Sequence, residues 1–246
     1  VRSRGLGDVY KRQSLEPKRM EAPHQRTLPS ETVAPMPAIV LDESEIVEKD
    51  NWPIVEEILL NYIPGRRWFR GKARRIQSLE IEDVVPFDLT DTSAHLFLAK
   101  VEYFEGESET YTIMLAVASK EEAEQILAEH PRAIVAHLKS EHAGESGPSV
   151  LYDAMVDKAF CNELLEAIGK RRHLKGESGS VTGVPSRIFK SVSGSARDTL
   201  TLDNALVKGE QSNTSVVYGD RLILKLFRHL EAVSYTHLTL PTKRIV

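Results

Sequence analysis

The chain has 246 residues, 41% hydrophobic and 28% charged, with a formal net charge of -4 and a pI near 6.1, as in ordinary globular proteins. That acidic balance gives no electrostatic reason to expect nucleic acid. The single cysteine, Cys161, excludes an internal disulfide framework and a cysteine-rich zinc site, and no apolar run reaches the roughly 18–20 residues of a membrane span.

The two termini read as translated sequencing adapter. Ser3–Gln13 contains Asp8-Val9-Tyr10-Lys11-Arg12, and the other end contains Val233-Ser234-Tyr235-Thr236-His237-Leu238. One DNA duplex read in opposite directions encodes both. Residues 1–13 and 233–246 are therefore expected to be artefact, leaving Ser14 to Ala232 as the biological chain, open at both ends. With no apolar central region near the N-terminus, no signal peptide is expected and the cytoplasm is the default compartment.

Residues 14–45 are rich in Pro, Glu, Ser and Thr and read as linker. Met20 is either a start codon or lies in a frame that runs in from an upstream domain. A helix is expected from Trp52 to Tyr62, with Ile54, Ile58, Leu59 and Tyr62 as its apolar stripe. Asp50 or Asn51 would cap it, and Pro64-Gly65 would end it. In Arg66-Arg67-Trp68-Phe69-Arg70-Gly71-Lys72 the two aromatics are expected to plug a core while the cationic stems lie over it. Strands follow at Ile76–Val85, His95–Phe104 and Tyr111–Ala118. The first does not alternate cleanly, and Gly106–Glu109 forms a hairpin loop. Ser119, with Glu122 as the second half of a capping box, opens a helix over Lys120–Glu129. The expected assembly is α+β: a strand meander with helices on one face.

A second unit is expected from Pro148, so that the divisions are 14–45, 46–147 and 148–232. It starts with a strand at Val150–Val156. A helix over Lys158–Gly169 follows, capped by Asp157 and closed by Gly169, with Cys161 as a small core residue. Lys170-Arg171-Arg172-His173 reads as a solvated charge run at the helix end, or alternatively an anion site. Gly176–Gly183 reads as a Gly/Ser loop that could hinge, and Val184–Val192 as a strand.

The segment that carries chemistry is 199–229. Tyr218-Gly219-Asp220-Arg221 is a hairpin turn between Val216-Val217 and Leu222–Phe227. On the outgoing strand Leu222, Leu224 and Leu226 share one face; Ile223, Lys225 and Phe227 share the other. A lysine among apolar strand neighbours needs a partner, and kinase folds use one on nucleotide phosphates. The loop Gly209–Ser215 is small and polar, as a phosphate-covering loop must be. It lacks both GxGxxG and GxxxxGK[ST], so an edge hairpin with a snorkelling lysine is the alternative on these features alone.

Glu210–Arg228, with its Gln-Ser-Asn-Thr-Ser and Leu-Ile-Leu-Lys-Leu-Phe-Arg runs, resembles the N-lobe hairpin of bacterial maltokinases. Arg66–Lys72 resembles the Arg-Trp-Phe signature of their N-terminal cap domain, and Val150-Leu151-Tyr152-Asp153-Ala154 also fits that family. The resemblance spans Trp52 to Glu231. It implies a cap domain followed by part of a protein-kinase-like N-lobe, with the C-lobe absent. It also implies ATP- and Mg²⁺-dependent phosphorylation of maltose to maltose 1-phosphate for α-glucan synthesis. By position, Lys225 would hold ATP phosphates and Gln211, Ser212, Asn213, Thr214 and Ser215 would form the loop over them. Arg66, Trp68 and Lys72 would be structural. No catalytic or metal-ligating residue is assigned, because the family keeps these in the C-lobe, and no turnover is expected of this chain alone. Ser14-Leu15-Glu16-Pro17 resembles the tail of a trehalose synthase, making a fused or separate synthase a candidate partner. Alternatives are a docking module for such a synthase, an aminoglycoside/choline-type kinase, and a non-catalytic α+β domain whose Lys225 faces solvent.

Overall fold

The computed structural model describes residues 37–41, 43–88, 93–139, 147–187, 189, 203–207 and 212–231, all within the unit Pro35–Val246. Both adapter-like ends lie outside them. A short strand β1 (Ala38–Val40) leads through 3-10 turns into α1 (Trp52–Tyr62). Then come β2 (Ile76–Asp88), β3 (Ser93–Tyr103), β4 (Glu109–Ser119), α2 (Lys120–Glu129), β5 (Ile134–Lys139), β6 (Ser149–Asp153) and α3 (Lys158–Gly169). A small hairpin, β7 (His173–Lys175) and β8 (Ser180–Thr182), precedes β9 (Asn204–Leu206), β10 (Asn213–Tyr218), β11 (Leu222–Phe227) and β12 (His229–Leu230).

The main sheet runs in the order β1-β5-β6-β4-β3-β2, with β12 also paired to β4. Strict alternation in β3 and β4 sends Phe97, Ala99, Val101, Ile113 and Leu115 into one core. It sends Ala94, Leu96, Met114 and Ala116 into another. The first core is closed by α1 through Val55, Ile58 and Leu59. The second is closed by α2 through Ile126, by α3 through Phe160 and Leu164, and by β10 and β11. The sheet is thus buried on both faces, and the expectation of helices on one face is corrected. An antiparallel meander can be covered twice when its polar alternates are replaced by Ala, Leu and Met, as here.

Several local expectations change with tertiary context. In α1 the buried stripe is Trp52, Val55, Ile58, Leu59 and Tyr62, and Ile54 points outward at 39% exposure. Asn51 does not cap α1, because its amide donates to the Glu45 carbonyl at 3.0 Å. Ser119 sits at the N-cap of α2 in extended conformation without a side-chain capping bond. Asp157 does cap α3, accepting from the Ala159 N–H at 2.7 Å. Gly169 is the last residue of α3 as expected, but it does not supply the left-handed residue that follows the helix. Arg171 takes the left-handed conformation (φ 56°), and a Cβ at Gly169 would come within 3.2 Å of the Phe189 ring.

Two register shifts in β2, between Ile76 and Ser78 and between Ile81 and Asp83, explain its broken alternation. Within the stretch read as linker, β1 pairs parallel with β5 and Leu41 is buried, as is Ile46 just beyond it. A short Ala-Ile-Val-Leu run outweighs the polar average around it. Gly176–Gly183 is a hairpin turn plus β8 instead of a loose loop. The Ser178 N–H donates to the buried Asp83 carboxylate at 3.0 Å, and a Cβ at Gly176 would sit 2.7 Å from Asp83 Oδ1. Val184–Ser186 form no strand. Just after Pro148 the chain is still in the main sheet, where β6 lies between β5 and β4; β7–β8 and β9–β10–β11 then form two separate sheets. No helix among the described residues is long and apolar enough to cross a membrane.

Candidate functional site

The β10–β11 hairpin folds as its sequence dictates. Gly219 supplies the positive φ (53°) of the turn, and the strands pair from Tyr218↔Leu222 to Asn213↔Phe227. Val216, Tyr218, Leu222 and Leu224 enter the second core, and Leu226 packs against it. The Tyr218 hydroxyl donates to the Cys161 carbonyl of α3 at 2.6 Å. Burial pushes that tyrosine's pKa above its ordinary value. Strand β9 was not expected. It completes a three-stranded sheet on β10, and Asn204 ties it to α3 through the Lys158 carbonyl at 2.8 Å.

Period-two alternation places Lys225 on the face of this sheet opposite the core. It is half-buried, opposite Ser215 in register. Ser215 is buried, Asn213 half-buried and Ser212 exposed. Gln211 lies outside the described residues. Asn213, Thr214 and Ser215 belong to strand β10 and not to a loop. Their backbone pairs with β11 instead. Thr214 lies opposite Leu226 on the core side, and its hydroxyl accepts from Arg228 Nε at 2.8 Å. The face shared by Lys225 therefore brings together Ser215 and Asn213 but not Thr214.

Arg228 is the buried charge that sequence reasoning passed over. Its side chain is 1% exposed and paired with Asp153 of β6 through Nη2–Oδ2 at 2.6 Å. Its guanidinium carbon lies 5.1 Å from the Trp68 ring centroid, and Nη1 is 3.5 Å from the Thr112 carbonyl. The backbone repeats the connection. The Thr112 N–H donates to the Arg228 carbonyl at 2.8 Å, and the Thr112 hydroxyl to the Phe227 carbonyl at 2.7 Å. β12 then pairs with β4 at Tyr111 and Thr110. The Arg-Trp-Phe segment, the Tyr152-Asp153 strand end and the lysine-bearing hairpin thus converge on one guanidinium. Removing either partner of such a buried pair costs about 3–5 kcal/mol. The signal available in the sequence was an arginine closing an apolar strand and an aspartate closing another, each without a local partner.

The Arg66–Lys72 segment is built as expected. Trp68 and Phe69 are buried and tilt against the Tyr111 ring at 5.9 and 5.3 Å, while Arg66 stacks on Tyr62 at 4.2 Å. Beside them Glu109 accepts from the Tyr103 hydroxyl at 2.7 Å and the Tyr111 hydroxyl at 2.5 Å, and Arg74 pairs with it at 3.1 Å. Burial alone would raise the Glu109 carboxyl, but the hydrogen bonds from Tyr111 and Tyr103 outweigh it and hold the group below its usual value. The Tyr111 hydroxyl is pushed up to about 12 by burial and its bond to Glu109. Cys161 is a buried core thiol, raised to about 12 by burial.

Behind β11, on the side away from Lys225, a cavity of about 100 Å³ is lined by Leu96, Met114, Leu164, Ile168, Leu224 and Leu226 among others. Among the described residues no group of three or more His, Cys, Asp or Glu side chains could hold a metal ion. The Lys170–His173 run is exposed, with Lys170 paired to Glu166.

Residues 62–157 match the family model of the maltokinase N-terminal cap domain. The match begins at Tyr62 of α1, takes in the Arg-Trp-Phe segment and the β2–β3–β4 meander, and ends just beyond Asp153. That match supports a maltokinase-related protein, and with it a kinase-type enzyme family.

Proposed function

We propose that this protein carries the cap and the nucleotide-binding hairpin of an ATP-dependent kinase that phosphorylates maltose at its anomeric hydroxyl. The observation that carries the reading is the place of Lys225. It stands half-buried on the face of a hairpin whose other face is fastened to the matched cap. An ammonium fixed on a strand, flanked by apolar neighbours, suits the α- and β-phosphates of a nucleotide. Lys225 would orient and neutralise them. Asn213 and Ser215 would offer donors on the same face, with Gln211 and Ser212 preceding them in sequence, while Thr214 holds the strand through Arg228.

Mg²⁺, when bound, would supply charge neutralisation for the transferring phosphoryl group. Among the described residues no group of three or more His, Cys, Asp or Glu side chains fits that ion. The product would be maltose 1-phosphate, feeding α-glucan synthesis in the cytoplasm, with a trehalose synthase as supplier of maltose. The test is phosphorus NMR of the full-length protein with MgATP and maltose. An anomeric phosphate signal that depends on maltose supports the reading. Phosphorylation of choline or an aminoglycoside in place of maltose, or no transfer, contradicts it.

A further inference from the structure

We infer that Arg228 is a positioning residue for Lys225, and that the cap acts on the nucleotide site through it. The inference rests on the proposed role of Lys225. Arg228 lies three residues beyond Lys225 on the same chain segment, at the point where β11 gives way to β12. Its guanidinium spends one nitrogen on the hairpin and the other two on the cap: Nε on Thr214, Nη2 on Asp153 and Nη1 toward the Thr112 carbonyl. The face of Trp68 closes the set at 5.1 Å.

These partners come from four separate segments. Thr214 stands next to Ser215, which pairs with Lys225 across the ladder. The clamp therefore fixes both strands that present the Lys225 face. It does so from the core side and without touching that face. A planar fork with donors at fixed angles is what such a junction needs. A lysine could answer Asp153 as a point charge but could not reach Thr214 and Thr112 at the same time. Because an unpaired buried charge is costly, the hairpin has one favoured seat on the cap. Displacements of about 1 Å at a reacting group are enough to cost about a hundredfold in rate.

The experiment uses the full-length protein and compares wild type with R228M, R228K, D153N, T214V and K225M. The readouts are KM for ATP, KM for maltose and amide hydrogen exchange over β10–β11 against β2–β3. The inference predicts that D153N, a substitution in the cap, raises KM for ATP about tenfold, a loss equivalent to about 1.4 kcal/mol. KM for maltose should hold, and exchange should quicken in β10–β11 while β2–β3 stays protected. T214V should move the same readouts in the same direction from the hairpin side, and R228K should fall between wild type and R228M. If R228M does not fold, D153N and T214V still decide.

The inference is overturned if D153N and T214V lower the active fraction with both KM values unchanged, or if exchange rises equally in both sheets. K225M separates this from the parent reading. Wild-type activity in K225M refutes the nucleotide role of Lys225, whereas loss of activity in K225M with an unchanged KM for ATP in D153N refutes only the clamp.

Discussion

Gly71→Ala isolates the packing of the Arg-Trp-Phe segment. A Cβ at Gly71 would lie 2.2 Å from the Tyr103 hydroxyl, 2.6 Å from Phe69 Cζ and 2.7 Å from Tyr103 Cε1. None of these can be tolerated, and both rings are buried. Pushing them aside costs about 1–3 kcal/mol as overpacking. Moving the Tyr103 hydroxyl off Glu109 forfeits a hydrogen bond to a charged group, worth about 1.5–3 kcal/mol. The substitution also stiffens the unfolded chain, which returns about 0.4–1 kcal/mol. The net destabilisation is about 2–5 kcal/mol, a fall in the thermal midpoint of roughly 5–15 °C. Urea unfolding followed by tryptophan fluorescence measures it, since Trp68 sits one residue from Phe69. Tyr103→Phe should relieve part of the clash, so the double variant should be less damaged than the sum of the singles. A G71A protein within about 0.5 kcal/mol of wild type, or strict additivity with Y103F, would refute the packing argument.

Glu109→Gln should destabilise the fold near neutral pH. The folded carboxyl is held below its usual 4.5, so its contribution is complete above that value and disappears as pH falls through the folded value. Urea midpoints of the variant and wild type should therefore converge in acid; a constant gap across pH would count against the Tyr103–Glu109–Tyr111 cluster. Asp83→Ala removes the acceptor for the Val84 and Ser178 N–H groups. It should free the β7–β8 hairpin, seen as faster amide exchange over 176–181, with a loss of about 1–3 kcal/mol. The Cys161 thiol, raised to about 12 by burial, should resist a thiol reagent at mildly alkaline pH until the protein unfolds; rapid native-state labelling would contradict its place in the core.

What the sequence made legible was local. The stripe of α1, the three long strands, the Asp157 cap and the Lys225 face all follow from spacing and alternation, and the structure keeps them. Ile54 shows the margin of error, because a stripe centred on Val55 and Leu59 turns it outward. The bulges of β2 blurred a pattern that only pairing with β3 makes readable. Asn51 and Ser119 had the right chemistry for helix caps, but Asn51 is drawn to the Glu45 carbonyl, and Ser119 ends a strand paired to β6. Ala38–Val40 and Gly176–Gly183 were misread by composition, since what orders them lies far along the chain, in β5 and at Asp83. Arg228 was illegible for the same reason. Its partners Trp68, Thr112, Asp153 and Thr214 lie up to 160 residues before it in the chain, and an arginine closing an apolar strand was the one local signal.

The most direct test of the central claim is maltose-dependent ATP consumption by the full-length protein carrying Lys225→Ala. If the hairpin holds nucleotide phosphates, consumption should fall by at least about two orders of magnitude while the thermal midpoint, read on the same samples, stays near wild type. Wild-type consumption by the folded K225A protein would contradict the account.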